Sequence, residues 1–133
     1  MRVRIRGDAY DLDTRLLAEG EDELQRQLDG YATGDRETFD LTVDYPAGHL
    51  GAVMRAMAAI PYGETRSYGD LAAELDSGAV AVGQACGANP LPIVVPCHRV
   101  VSADGDGGFS APGGVDAKRR LLALERGEGL DQF

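Results

Sequence analysis

Of the two cysteines and two histidines in this 133-residue chain, one of each stands together: Cys97 and His98, in the run NPLPIVVPCHRVV that spans residues 89–101. Cysteine attacks as its thiolate, and a free thiol titrates near pH 8.5, so a nucleophilic Cys97 needs a group to take its proton. His98 is the nearest base. Neighbours on an extended chain point to opposite faces, so these two side chains meet only through a helical turn or a bridging water. Glu125, near the end of the chain, is the acid able to reach His98 from across the fold and hold its imidazole in one tautomer. A structural reading of the same residues also stands, because free cysteine is among the most buried residue types and often acts as a small hydrophobe.

The surrounding elements have to position that pair. Residues 93–95 are apolar and read as a short buried strand, which Pro96 ends because proline cannot donate to a sheet ladder. Asn89 stands before Pro90, as a helix C-cap does. Upstream, Leu50, Val53, Met54 and Met57 recur at helical spacing until Pro61 and Gly63 stop the run. In SYGDLAAELD, Ser67 is placed to cap a helix with Asp70 as its reciprocal partner, and Leu71 and Leu75 face inward. A further short helix covers residues 79–88, and the turn at Ser77-Gly78 gives these two the pattern of a helix-turn-helix. The second helix, AVAVGQACGA, has no charged residue. Its alanines and glycines suit close approach of another backbone, or burial in the core. SADGDGGFSAPGG is a glycine-rich loop without phosphate-cradle spacing, and a last helix carries Leu121, Leu122, Leu124 and Glu125.

Nearer the N-terminus, Arg2, Arg4 and Arg6 alternate with Val3 and Ile5, and Phe39, Leu41, Val43 and Tyr45 alternate with Asp40, Thr42 and Asp44. Pairing these two period-two strands would set arginines against aspartates. Between them Leu24, Leu28 and Tyr31 mark one face of an amphipathic helix ending near Gly34. The expected class is α+β, with a short N-terminal unit over residues 1–46 and a second domain over 47–133.

Charge bounds the function. The chain carries 22 acidic against 13 basic residues, a formal net charge of −9, and Lys118 is its one lysine. An Asp-rich, lysine-poor surface fits work in concentrated salt, where the screening length falls to about 3 Å. Acidity therefore does not exclude a polyanionic partner. No stretch reaches the apolar length of a membrane span, and MRVRIRGD lacks the apolar core of a signal peptide, so a cytoplasmic chain is expected. Two cysteines in such a chain speak against a structural disulfide, and Cys86, Cys97 and His98 do not have zinc-ligand spacing. No metal or other cofactor is expected.

Taken together, IPYGETRSYGDLA, AVGQACGANP, NPLPIVVPCHRVV, GGF and KRRLLALE resemble the O6-alkylguanine-DNA alkyltransferases, over residues 25–127 and most strongly over 60–125. The resemblance implies a winged helix-turn-helix domain, preceded by a shortened N-terminal α/β remnant, acting as a monomer on double-stranded DNA that contains O6-alkylguanine. The damaged base is flipped out and its alkyl group passes irreversibly to cysteine. By position, Cys97 is then the acceptor, His98 the base acting through water, and Glu125 the carboxylate that orients His98. Asn89 braces the turn beneath the cysteine, and Tyr68 contacts the DNA backbone and protonates the departing guanine. The DNA-contacting set is Tyr68, Val80, Ala81, Gln84, Ala85, Arg99 and Ser110. Attack on carbon bonded to oxygen suits a soft anionic nucleophile, and a leaving guanine needs a proton donor.

The departures concern the DNA-reading surface. Val80 stands where the family usually has an arginine that fills the gap left by the flipped base; a valine would instead wedge apolar surface between bases. Gly87 and Ala88 follow Cys86 without the common basic residue. Met54 replaces a frequent tryptophan, His49 a frequent phenylalanine, and FSAPGG is two residues longer than the usual loop, with Phe109 in place of its tyrosine. Two rival functions follow: a damage-binding or regulatory module with weak or no transfer, and an alkyl acceptor acting on a free base or another small substrate.

Overall fold

The computed structural model describes residues 1–103 and 114–127. Strands β1 (Arg2–Ile5) and β2 (Asp8–Asp11) form an antiparallel hairpin, with Arg2 opposite Asp11 and Val3 opposite Tyr10. Arg6 and Gly7 close it with φ of 54° and 91°, the left-handed pair that matches the twist of a two-residue hairpin. The partner of β1 is therefore its own continuation and not residues 39–45, which instead meet residues 16–18 in one isolated antiparallel bridge, Leu17 to Val43, flanked by Ala18 donating to the Thr42 carbonyl and Asp44 to that of Leu16. A two-residue loop closes at far lower entropic cost than one of more than thirty. Instead of a strand partner, residue 40 is gripped by a side chain: Gln27 donates to the Asp40 carbonyl at 3.0 Å and accepts from its amide at 2.8 Å.

Helix α1 (Glu21–Ala32) begins with Glu21, Asp22 and Glu23, favourable at a positive helix N-terminus. It buries Leu24, Gln27, Leu28 and Tyr31. Helix α2 (Gly48–Ala58) turns Val53, Met54 and Met57 inward. Gly51 is needed there, because a Cβ at that position would lie 1.7 Å from the Pro46 carbonyl oxygen.

Ser67 and Asp70 form the expected capping box at the start of α3 (Tyr68–Glu74), and α4 (Ala79–Gly87) packs against α3 after a tight turn. The two-residue strands β3 (Arg66–Ser67) and β4 (Val100–Val101) pair in parallel. Residues 93–95 are a turn and not the expected strand: Val94 donates to Pro92 and Val95 to Leu91, and Ile93 takes a φ of 74°. A β-branched residue in that region is an outlier, held here by a fully packed side chain, 1% exposed. Helix α5 (Gly114–Glu125) closes the described chain.

One apolar cluster includes Val3, Tyr10, Leu28 and Tyr31 together with Met54, Met57, Val95 and Leu121. The core thus runs across the boundary at 46/47. Among the described residues no helix is long and apolar enough to cross a membrane.

Candidate active site

After the turn at 93–95 and Pro96, the chain enters a 3-10 turn, Cys97–Arg99. This turn removes the strand geometry that would have pointed Cys97 and His98 apart. Asn89 braces the turn that leads into it: its side-chain Nδ2 donates to the Val95 carbonyl at 2.8 Å, and its Oδ1 accepts from the Leu91 amide at 3.1 Å. The β3–β4 pairing ties residue 66 to residue 100, so Tyr68, at the start of α3, is tethered to the end of the same turn.

Cys97 is 7% exposed. Burial pushes its thiol up, while the Asn89 side chain, the charge of Lys118 and the backbone amides of Cys97 and His98 draw it back. Cys86 is the contrast. Burial, with the nearby Cys97, pushes it up to about 12, and its Sγ lies 3.5 Å from Met57 Sδ. The thiol of Cys86 stays protonated, because the Lys118 charge and a backbone hydrogen bond draw it down by less than burial pushes it up.

His98 is fully buried. Its Nε2 lies 2.6 Å from Glu125 Oε2. Burial works against ionising Glu125, yet hydrogen bonds from His98, Arg99 and Tyr31 outweigh it and hold its carboxyl at about 2. An ionised carboxylate only accepts, so Nε2 carries the proton and Nδ1 is the bare nitrogen. Nδ1 is buried and meets no hydrogen-bond partner among the described residues. Burial also lowers the imidazole's own pKa, which leaves His98 neutral and able to accept at Nδ1.

Arg99, expected among the DNA contacts, points the other way. It is 6% exposed, and its Nε and Nη2 donate to Glu125 at 2.8 and 3.1 Å while Nη1 donates to the Ile60 carbonyl at 2.7 Å. An arginine so committed holds Glu125 and cannot also reach a phosphate.

The helix α4 surface divides. Val80 is 76% exposed, the one large hydrophobic side chain so placed among the described residues. Gln84 is exposed and Ala81 half-buried, whereas Ala85 packs inward, 7% exposed. Burial of the whole helix in the core is thereby ruled out, and Ala85 leaves the outward set. Tyr68 is half-buried, and burial raises its pKa, so the phenol keeps its proton. His49 is exposed and bonded to Ser77 at 2.9 Å. Ser110 and Phe109 lie outside the described residues.

Two participants went unread in the sequence. Lys118 is fully buried, donates to the Val100 carbonyl at 2.6 Å and stands 5.8 Å from the Tyr68 ring; being the sole lysine was its one signal. Tyr31 donates its hydroxyl to Glu125 Oε2 at 2.6 Å, and nothing local distinguished it from a core aromatic.

The family model "6-O-methylguanine DNA methyltransferase, DNA binding domain" matches residues 50–127. A methylated-DNA–protein-cysteine methyltransferase of Mycolicibacterium paratuberculosis is 48% identical over 104 residues, 75% of this chain and 62% of that protein. The Archaeoglobus fulgidus protein of the same name is 37% identical over 82% of this chain and 78% of its own. In structure, Mycobacterium tuberculosis OGT in complex with DNA superposes with a TM-score of 0.75 at 41% identity, over 82% of this chain and 70% of that one. The chain thus spans 62% of the length of the mycobacterial relatives. With the Pro-Cys-His-Arg turn, its buried histidine–carboxylate pair and the mixed α/β fold all in place, the chain belongs to the 6-O-methylguanine DNA methyltransferase family.

Proposed function

We propose that this chain repairs double-stranded DNA by a single irreversible transfer of an alkyl group from O6-alkylguanine to Cys97. The observation that carries this reading is the state of His98: neutral, its Nε2–H fixed by Glu125, its Nδ1 without a partner among the described residues, in the same 3-10 turn as the buried Cys97. A buried thiol resists ionisation, so its proton passes through a bridging water to Nδ1. The thiolate sulfur bonds to the alkyl carbon, the carbon–O6 bond breaks, and its electrons return to the guanine, which takes a proton from Tyr68. Asn89 keeps the turn in register. In this reading α3 and α4 are the helix-turn-helix of a winged domain, residues 1–46 are a shortened N-terminal remnant, and the protein works as a monomer in the cytoplasm of a salt-accumulating cell. Base flipping costs a few kcal/mol, least where pairing is already damaged.

Incubation with an O6-methylguanine duplex in high salt is expected to make the Cys97 peptide, and no other, heavier by one methylene in mass spectrometry. Tight binding without any mass gain would establish the damage-binding module in its place. Gain from the free base alone would establish the small-substrate acceptor.

Val80 gives a second measurement. As an exposed side chain on α4 it is placed to wedge between bases, and Val80→Arg adds charge to a helix that has none. Affinity for damaged duplex, read by fluorescence anisotropy, is expected to rise, most at low salt where phosphate attraction is strongest. The melting curve should stay within about 0.5 kcal/mol of the parent. Unchanged affinity at every salt concentration would take α4 off the interface.

A further inference from the structure

Tyr31 is a buried polar side chain that the transfer as described above does not use. It sits on α1, outside the matched residues 50–127, and is fully buried. Its ring is held from two sides, by Phe39 at 5.5 Å and edge-on by Tyr62 at 6.3 Å. Its hydroxyl donates to Glu125 Oε2 at 2.6 Å and lies 3.5 Å from His98 Nε2. A buried tyrosine needs some acceptor, and any carbonyl would serve. Here the acceptor is the very oxygen that orients the histidine.

Three donors divide the charge of that oxygen: His98 Nε2, the Tyr31 hydroxyl and, at 3.1 Å, Arg99 Nη2. With Tyr31 in place, Oε2 is pinned beside His98 Nε2–H and offers an imidazolium less than it would with the tyrosine hydroxyl gone. We propose that Tyr31 is a positioning residue for alkyl transfer: by donating to Glu125 Oε2 beside His98, it fixes that oxygen and keeps His98 neutral, with Nδ1 ready to receive the Cys97 proton. This rests on the reading of His98 as the base. The other groups around the imidazole are Glu125 and Lys118 of α5, Arg99 of its own turn and the adjoining Cys97, with Tyr62 facing Glu125 and Arg99 across the cluster. All of these remain when only the Tyr31 hydroxyl is removed.

The test uses the full chain, two readouts and no DNA. Nitrogen-15 NMR titration follows His98 directly. Iodoacetamide follows the thiol: the sulfur–carbon bond forms, iodide leaves, and the thiol proton departs through His98. In Tyr31→Phe the His98 midpoint is expected to rise by about one pH unit, the worth of roughly tenfold in an equilibrium. Alkylation of Cys97 should then slow roughly tenfold below that midpoint and recover above it. Phe39→Leu, which loosens the ring but keeps the hydroxyl, should leave the midpoint where it is. If Tyr31→Phe does not fold, 3-fluorotyrosine at position 31, a stronger donor of the same size, should move the midpoint down. An unshifted midpoint in a folded Tyr31→Phe, or an equal shift in Phe39→Leu, overturns the assignment of Tyr31 alone. If instead His98→Ala leaves parent-like alkylation at every pH, the reading of His98 as base falls, and this proposal falls with it.

Discussion

Arg99→Ala is expected to melt roughly 10–20 °C below the parent and to transfer no alkyl group at the parent's melting-safe temperatures. Arg99 is 6% exposed, and two of its guanidinium nitrogens hold Glu125. Removing one partner of a buried ion pair leaves the other charge uncompensated, at about 3–5 kcal/mol. The carboxylate so released also ceases to align His98. Position decides the size of the effect. Arg66 pairs with Glu64 at 3.3 Å with both side chains about half exposed, 44% and 52%, and Arg66→Ala should cost less than about 1 kcal/mol. Circular-dichroism melts of the two variants side by side make the comparison; an Arg99→Ala protein melting with Arg66→Ala would mean that Arg99 is not committed inside.

Acid is expected to destabilise the fold through the same cluster. Glu125 is held at about 2 in the fold against an ordinary 4.5. A depressed carboxylate contributes stability that is fully present above the ordinary value and is lost as pH falls through the folded one. The window is therefore about pH 4.5 down to 2, and the shift corresponds to on the order of 3 kcal/mol. His98 acts in the same direction from a higher starting point. Burial lowers its pKa below the ordinary 6.5, so the unfolded chain takes up a proton that the folded site refuses, and stability declines as pH falls below 6.5. Urea unfolding at pH 7, 5 and 3 checks both. The parent should lose midpoint at each step, whereas Glu125→Gln should begin lower at pH 7 and lose less between pH 5 and 3. An identical loss in both proteins would move the acid sensitivity away from Glu125.

The parts legible in the sequence were those set by local chemistry. Ser67 and Asp70 announced a capping box, the 50–57 periodicity announced α2, and Pro96-Cys97-His98 announced the site. Among long-range partnerships, that of His98 with Glu125 was legible, but those of Arg99 and Tyr31 were not. Arg99 reads as a surface residue because arginine usually is one; its acceptor, Glu125, lies 26 residues away. Tyr31 and Glu125 are separated by 94, and in α1 the tyrosine is spaced like any core aromatic. Alternation misled at 39–45, where Gln27 satisfies backbone groups that a neighbouring strand would otherwise take. The apolar run misled at 93–95, where it concealed a turn with Ile93 in the left-handed region.

The lone lysine has one more implication. Lys118 is fully buried against the Val100 carbonyl and the Tyr68 ring, and every other cationic side chain apart from the histidines is an arginine. Acylating reagents, which need a neutral amine in contact with solvent, therefore find no side-chain target on the native surface. They reach Lys118 only when α5 parts from the turn that holds Cys97. The rate at which this single amine is acylated thus becomes a clock for spontaneous opening of the alkyl-acceptor site, one that runs without substrate, DNA or any engineered label.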